Sequence, residues 1–357
     1  ILIEADVAEE VARLIGYDTV PARLPNTAMP AYRVEPSLFV NRVRDAMAGR
    51  GLAEVVTHAL VGPDDHRALG YAADDGATIR VENPISVDHS EMRRSMLPGL
   101  LGVLQRNERQ RRADVAIFEI GNLHEWRDAG PIQTKVLAVL LAGNLRAQSW
   151  AEPARAASFE DLKGIVETLA ARLNLEPIQY AATAARPGVD HPGRVARVLA
   201  HGGSGGRGGG EDEQSVGLVL EVHPRLLAHY DIRAEHVCFA LLNLDVLAPL
   251  AQDVPQVRAA HGLPALERDI AVVVSRDTPA AAVESAIRGA GGPHLASISL
   301  FDRYQGPPLD KSELSLAYRL RFQPPDEQLS EDSVDSTMRA VADALEKQVR
   351  GRIRSGA

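Results

Sequence analysis

Cysteine occurs once in the 357 residues, at Cys238. That excludes an intrachain disulfide and any cysteine-based zinc cluster, and it points to a reducing cytoplasm. Cys238 lies in the apolar run Val237 to Leu242, where a small core residue is the natural reading. Positive charge is also scarce: 39 Lys and Arg against 48 Asp and Glu leave a net charge of −9. A general nucleic-acid coat protein is excluded on that ground, although one local contact surface is not. No apolar run approaches the ~20 residues of a membrane span, and the N-terminus does not resemble a signal peptide. There is no H-E-x-x-H, no G-x-S-x-G and no spacing of Ser, His and Asp that singles out a triad. The glycine-rich stretch Gly202 to Gly210, ending in Glu211-Asp212-Glu213, lacks the Lys-Ser/Thr of a phosphate loop and reads as a flexible hairpin loop.

What remains is a globular composition, 45% hydrophobic and 24% charged, with length for two or three domains. Arg268 to Val274 reads as a buried strand, followed by a helix capped by Thr278 with Pro279 in its first turn and running through Gly289. Leu295 to Tyr304 and Ser315 to Phe322 alternate apolar and polar residues about a Gly306-Pro307-Pro308 turn, which predicts a hairpin. Ser330 caps a helix with Val334, Met338, Val341 and Leu345 at helical spacing, and Arg352 to Arg354 closes the sheet. The order β-α-β-β-α-β is ferredoxin-like. Its helices cover one sheet face, so the other is open to a partner. Tyr304 there can stack on a base while Asp302 and Ser315 reach a base edge, or these are ordinary strand residues.

The middle, about Ser37 to Leu250, reads as a mostly antiparallel sheet flanked by helices, an α+β domain. Helices are expected at Ser37 to Arg50, Met96 to Arg109 and Phe159 to Leu173. Strands are expected at Val55 to Leu60, Thr78 to Glu82, Val115 to Ile120, Val136 to Ala142, Val195 to Ala200, Val216 to Val222 and Phe239 to Leu244. Arg106, Arg109, Arg111 and Arg112 form a basic run, either a solvated helix face or a subunit or RNA phosphate contact. His191-Pro192-Gly193-Arg194 and His223-Pro224 are turn-forming, with no accompanying metal-ligand set.

At the start, Asp6, Glu9 and Glu10 stand at i, i+3 and i+4 of an apolar-periodic helix carrying Val7, Val11, Leu14 and Ile15. Three carboxylates on one face suit magnesium, or simply complement the helix dipole. Gly16 stops the helix, and Pro21 and Pro25 mark a linker. Because Ile1 opens inside what reads as an element, the chain is expected to be a fragment.

In order along the sequence, several segments resemble the C-terminal half of the bacterial phenylalanyl-tRNA synthetase beta subunit. They are Asp6 to Arg13 with Gly16-Tyr17-Asp18, Asn83-Pro84-Ile85-Ser86, Met92-Arg93-Arg94-Ser95-Met96-Leu97-Pro98-Gly99-Leu100-Leu101 and Phe118-Glu119-Ile120-Gly121. Leu162-Lys163-Gly164, His191 to Arg194, Glu221-Val222-His223-Pro224, Arg268-Asp269-Ile270 and Leu300-Phe301-Asp302-Arg303-Tyr304 follow.

The resemblance implies the end of a B5-like domain with its linker at 1–26, a class II synthetase-like non-catalytic core at 35–250, and a ferredoxin-like anticodon-binding domain at 263–357. It implies an α2β2 ligase joining phenylalanine to tRNA(Phe), with ATP used by the alpha subunit, a second beta subunit as partner and no membrane. Asp6, Glu9 and Glu10 fall on family magnesium positions, the fourth ligand being an Asp ahead of Ile1. Asp302, Tyr304 and Ser315 fall on positions that meet the first anticodon base, with Leu314 where the family usually has Lys. The alternative is a dimerisation scaffold whose ferredoxin-like module binds protein instead of RNA.

Overall fold

The computed structural model describes residues 3–24, 26, 35–73, 75–175, 177–201, 213–255, 263–323 and 329–354. Pro25 and the expected loop at 202–212 lie outside the described residues. The chain divides into two compact units, residues 1–39 and 40–357. In the first, helix α1 (Glu4–Ile15) ends at Gly16, whose φ of 95° suits glycine and whose N–H bonds the Ala12 carbonyl. Val7, Val11, Leu14 and Ile15 on this helix are exposed.

From there the chain runs through α2 (Pro36–Gly49), β1 (Ala53–Glu54), β2 (Leu60–Val61), α3 (Pro63–Ala68), β3 (Glu91–Met92) and α4 (Leu97–Arg109). A long hairpin of β4 (Val115–Arg127) and β5 (Gly130–Ala142) follows, then β6 (Asn144–Arg146), β7 (Arg155–Ala156), α5 (Phe159–Arg172) and β8 (Gln179–Ala182). β9 (Asp190–His201), β10 (Glu213–Val222), α6 (Pro224–His229), β11 (Val237–Asn243) and α7 (Leu244–Leu250) complete the region. Seven strands form one sheet in the order β1-β4-β5-β11-β10-β9-β8. Every pairing in it is antiparallel except that of β1 with β4.

The strand period of two divides the apolar residues between the faces. Val115, Ile117, Val136, Ala138, Leu140 and Phe239 pack with Leu97, Leu100, Leu101 and Leu104 of α4. On the opposite side Val166, Leu169 and Leu173 meet Val198, Val216, Leu242 and Leu247.

Two expected strands are absent. Val55 to Leu60 contributes only Leu60 to a ladder, because the Thr57 N–H is taken by the Glu119 carboxylate at 3.2 Å instead of a strand carbonyl. Thr78 to Glu82 makes a single bridge, Arg80 to Glu91.

The C-terminal part consists of β12 (Leu266–Ser275), α8 (Ala280–Ala290), β13 (Leu295–Tyr304), β14 (Glu313–Phe322), α9 (Glu331–Val349) and β15 (Arg352–Ile353). Its sheet order, β13-β14-β12-β15, is the antiparallel ferredoxin arrangement. Thr278 is not the cap of α8. That position belongs to Pro279, without a side-chain bond; Thr278 lies one residue outside the helix, in a turn its N–H closes onto the Ser275 carbonyl. Ser330 does cap α9 through the Ser333 N–H. Val272, Val274, Val283, Ile287, Leu316, Tyr318, Leu320, Val341 and Leu345 form this sheet's own core. Among the described residues no helix is long and apolar enough to cross a membrane.

Candidate nucleic-acid interface

Alternation along β14 sends Leu314, Leu316, Tyr318, Leu320 and Phe322 into the core beneath the helices, each at most 5% exposed. Glu313, Ser315, Ala317, Arg319 and Arg321 therefore stand on the opposite, open face. In register across β13, Tyr304 faces Ser315, Asp302 faces Ala317, Ser299 faces Arg319 and Ser297 faces Arg321. β12 continues these rows with Val273, Ala271, Asp269 and Glu267, and Arg352 of β15 joins the Val273 row.

The three residues expected to meet a base are thus brought together. Tyr304 is 39% exposed. Its hydroxyl donates to the Pro307 carbonyl at 2.6 Å, and the Arg354 guanidinium carbon lies 5.8 Å from its ring centroid. Asp302 is exposed. Ser315 is not: at 4% exposure it lies closed off in the row it shares with Tyr304, so a base edge reaches it only after a neighbour moves.

Cations on this face are partly committed. Arg319 donates to both Asp269 oxygens at 2.8 and 2.7 Å, which holds the Asp269 carboxyl below the usual carboxylate range. Arg352 bonds both oxygens of Glu313 at 3.1 and 3.0 Å and lowers it in the same way. Arg321 meets only the Gln323 amide oxygen, at 3.4 Å, among the described residues. None of these arginines was singled out from the sequence. The signal available was their alternation, at 319 and 321 and again at 352 and 354, which puts each pair on one sheet face.

On α1 the three carboxylates do not assemble a ligand set. Glu10 accepts from Arg13 at 3.0 and 2.6 Å, Asp6 accepts from the Ile3 N–H at 3.3 Å, and among the described residues no three acidic, His or Cys groups are placed to hold a metal ion. The donor chemistry suits magnesium, but the geometry shown does not fit it. In the basic run, Arg109 pairs with Asp231 at 3.3 Å. The Cys238 thiol is buried, and burial followed by the Glu221 charge pushes it up to about 12.

The core motifs meet in space. Arg93 donates from Nη1 to Glu119 Oε1 at 2.8 Å and from Nε to the Asn122 carbonyl at 3.0 Å. Thr57 Oγ1 donates to Glu119 Oε2 at 2.7 Å. Two glycines make room: a Cβ on Gly121 would stand 2.3 Å from Arg93 Nη2, and one on Gly99 would stand 2.5 Å from Thr57 Oγ1. Further along, Glu221 accepts from Arg194 and lies 2.9 Å from His236 Nδ1. A hollow of about 310 Å³ opens on the sheet beside Arg94, His124, Glu125, Arg127 and Thr134. Its arginines are matched by carboxylates, Arg94 with Asp75 and Glu125, and Arg127 with Glu125.

The family model described as the phenylalanyl tRNA synthetase beta chain CLM domain matches residues 20–244, and that described as the ferredoxin-fold anticodon binding domain matches residues 262–354. The two matches together place the chain in a class, the subunits of aminoacyl-tRNA synthetases. Among relatives, the phenylalanine–tRNA ligase beta subunit of Moorella thermoacetica is 36% identical over 98% of this chain and 42% of its own length. Those of Geobacillus kaustophilus and Streptococcus pyogenes serotype M18 are 33% and 32% identical, over 98% and 99% of this chain and 42% and 43% of theirs. The chain belongs to the phenylalanyl tRNA synthetase beta chain family. It spans about two fifths of the length of these relatives.

Proposed function

We propose that this chain is the part of a phenylalanine–tRNA ligase beta subunit that supports a catalytic alpha subunit and meets the tRNA(Phe) anticodon on the open sheet face around Tyr304. The observation carrying this reading is the open face itself: an exposed tyrosine and an exposed Asp302 in alternate positions, with arginines beside them and the helices on the other side. An aromatic platform with a neighbouring acceptor is what unpaired bases require. Asp302 would read a base edge, Tyr304 would hold the base, and Ser315 would contribute once uncovered.

The boundaries 1–26, 35–250 and 263–357 go with this reading. Two separate apolar clusters, one among residues 69–239 and one among residues 270–345, support the division between core and module. ATP and phenylalanine would be handled by the alpha subunit of an α2β2 assembly that includes a second beta subunit, in the cytoplasm. Paired arginines in the core hollow support a non-catalytic core, since a triphosphate site needs cations free to meet it. Any magnesium ion at Asp6, Glu9 and Glu10 would be held weakly.

The test is co-expression with an alpha subunit, with aminoacylation assayed for the full-length pair and stem-loop binding for this chain. Binding of a tRNA(Phe) anticodon stem-loop that is lost on Tyr304→Ala supports the reading. A chain that joins the alpha subunit but ignores the stem-loop is a scaffold, and the anticodon assignment falls.

A further inference from the structure

Phe301 sits where the β13–β14 ladder breaks register. Leu300 faces Tyr318 and Asp302 faces Ala317, which leaves Phe301 as the extra residue of a bulge, a device that re-aims a side chain. Its ring is 53% exposed and lies 5.4 Å from the guanidinium carbon of Arg319. Because Asp269 holds both Nε and Nη2 of Arg319, that guanidinium is a fixed plane on the open face. The pairing repeats the one at Tyr304, where Arg354 stands beside the ring.

Between the two aromatic positions the sheet carries Asp302, Ala317 and Ala271 in one row. The two alanines leave the backbone open to close approach. Phe301 and Tyr304 stand three residue steps apart along the strand, roughly 10 Å at the usual rise and less across a bulge. Exposed aromatics on a four-stranded sheet of this kind take two or three splayed bases of a single strand, and a guanidinium plane serves as a second stacking surface.

We propose that Phe301, with Arg319 beside it, is a second base-stacking position, taking an unpaired nucleotide adjacent to the one held at Tyr304. This rests on the RNA-binding reading of the same face and deepens it. Tyr304 and Phe301 then fix the direction in which the loop crosses the sheet, and Asp302 between them faces one nucleotide edge.

The experiment measures affinity of the full chain for tRNA(Phe) anticodon stem-loops, intact or carrying one abasic position, at one fixed salt concentration. Phe301→Ala is expected to weaken binding of the intact loop roughly 5- to 100-fold, the range for a lost stacking partner. That loss should vanish on a loop made abasic at one position next to the first anticodon base, while Tyr304→Ala still weakens that same loop. Phe301→Leu keeps an apolar side chain without a π-face, and should retain the thermal midpoint of the unsubstituted protein while losing affinity as Phe301→Ala does. Unchanged binding by Phe301→Ala beside weakened binding by Tyr304→Ala overturns the second position and leaves the anticodon reading intact. An equal loss on every abasic loop also overturns it, since it assigns Phe301 a structural role. Failure of the unsubstituted chain to bind any stem-loop removes both.

Discussion

Arg93 and Glu119 form an ion pair of 2.8 Å with side chains 6% and 2% exposed, joining the motif that leads from β3 into α4 to the one on β4. Thr57 completes it by donating to Glu119 while accepting from Arg93 at 3.0 Å. Removing one partner of such a pair strands the other charge without water. Arg93→Ala and Glu119→Ala should each therefore destabilise the fold by about 3–5 kcal/mol. Gly121→Ala should also destabilise it, because the added Cβ meets Arg93 Nη2. Urea unfolding of the three variants checks this, and losses below about 1 kcal/mol would mean that the network is slack.

A second ion cluster sets an acid limb. Burial pushes the Glu221 carboxyl up, but bonds from His236 and Arg194 outweigh burial and hold it below the usual carboxylate range. A depressed carboxylate contributes stability above its unfolded pKa and loses it as pH falls through the folded value. Glu221→Gln should therefore cost stability at pH 7, and the difference from the parent should shrink as pH falls below about 4. Thermal midpoints across pH 3 to 7 decide it, and a pH-independent difference would contradict it.

Glu284 on α8 carries the opposite sign. Burial raises its carboxyl, with the Glu167 charge adding to burial and Arg288 and Lys163 opposing. A raised acid gives stability at low pH that disappears as pH rises through the folded pKa. Glu284→Gln is expected to raise the thermal midpoint at pH 7 and to leave it unchanged near pH 4. A lower midpoint at pH 7 would show that the charge is matched after all.

How much was legible in the sequence follows from which groups carried the information. The β12 and β14 strands were readable because Ile270 to Val274 and Leu314 to Phe322 place their apolar residues where one or both faces are buried. Val55 to Leu60 misled because an apolar run looks the same whether its N–H groups meet carbonyls or, as at Thr57, a distant carboxylate. The helices α6 and α7 were missed for their length, although Asn243, whose side chain accepts from Asp245 and Val246, was a capping signal in plain view. Asp302 and Tyr304 were marked by the resemblance and not by alternation, which would set them on the side of Leu300 had the bulge at Phe301 not intervened. Spacing cannot report the covering of Ser315, nor the bulge that turns Phe301, because both depend on neighbours across the sheet.

For α1, the commitment of Glu10 to Arg13 predicts weak magnesium binding, on the order of millimolar, since the ion would have to displace a cation and gather carboxylates that do not converge. Arg13→Ala should tighten binding by releasing Glu10. Calorimetric titration tests this, and stoichiometric micromolar binding that Glu9→Ala abolishes would overturn the weakness while locating the site.

The tyrosine of the open face is the sharpest case. Stacking on an aromatic is worth about 1–3 kcal/mol per base, so Tyr304→Ala should weaken stem-loop binding by that amount. Tyr304→Phe keeps the ring and loses only the bond to the Pro307 carbonyl. That bond is exposed, which puts its worth near the lower end of the roughly 0.5–1.5 kcal/mol of a protein hydrogen bond, so the phenylalanine variant should bind nearly as well as the parent. Asp302→Ala should change selectivity more than affinity, because a contact to a base edge specifies where stacking merely holds. With a net charge of −9 on the chain, general phosphate attraction is too small to hide these losses. Affinities for stem-loops varied at the first anticodon base, at one salt concentration, separate the roles. Equal affinity and equal base preference in all three variants would return Tyr304 to an ordinary strand tyrosine braced against its own turn.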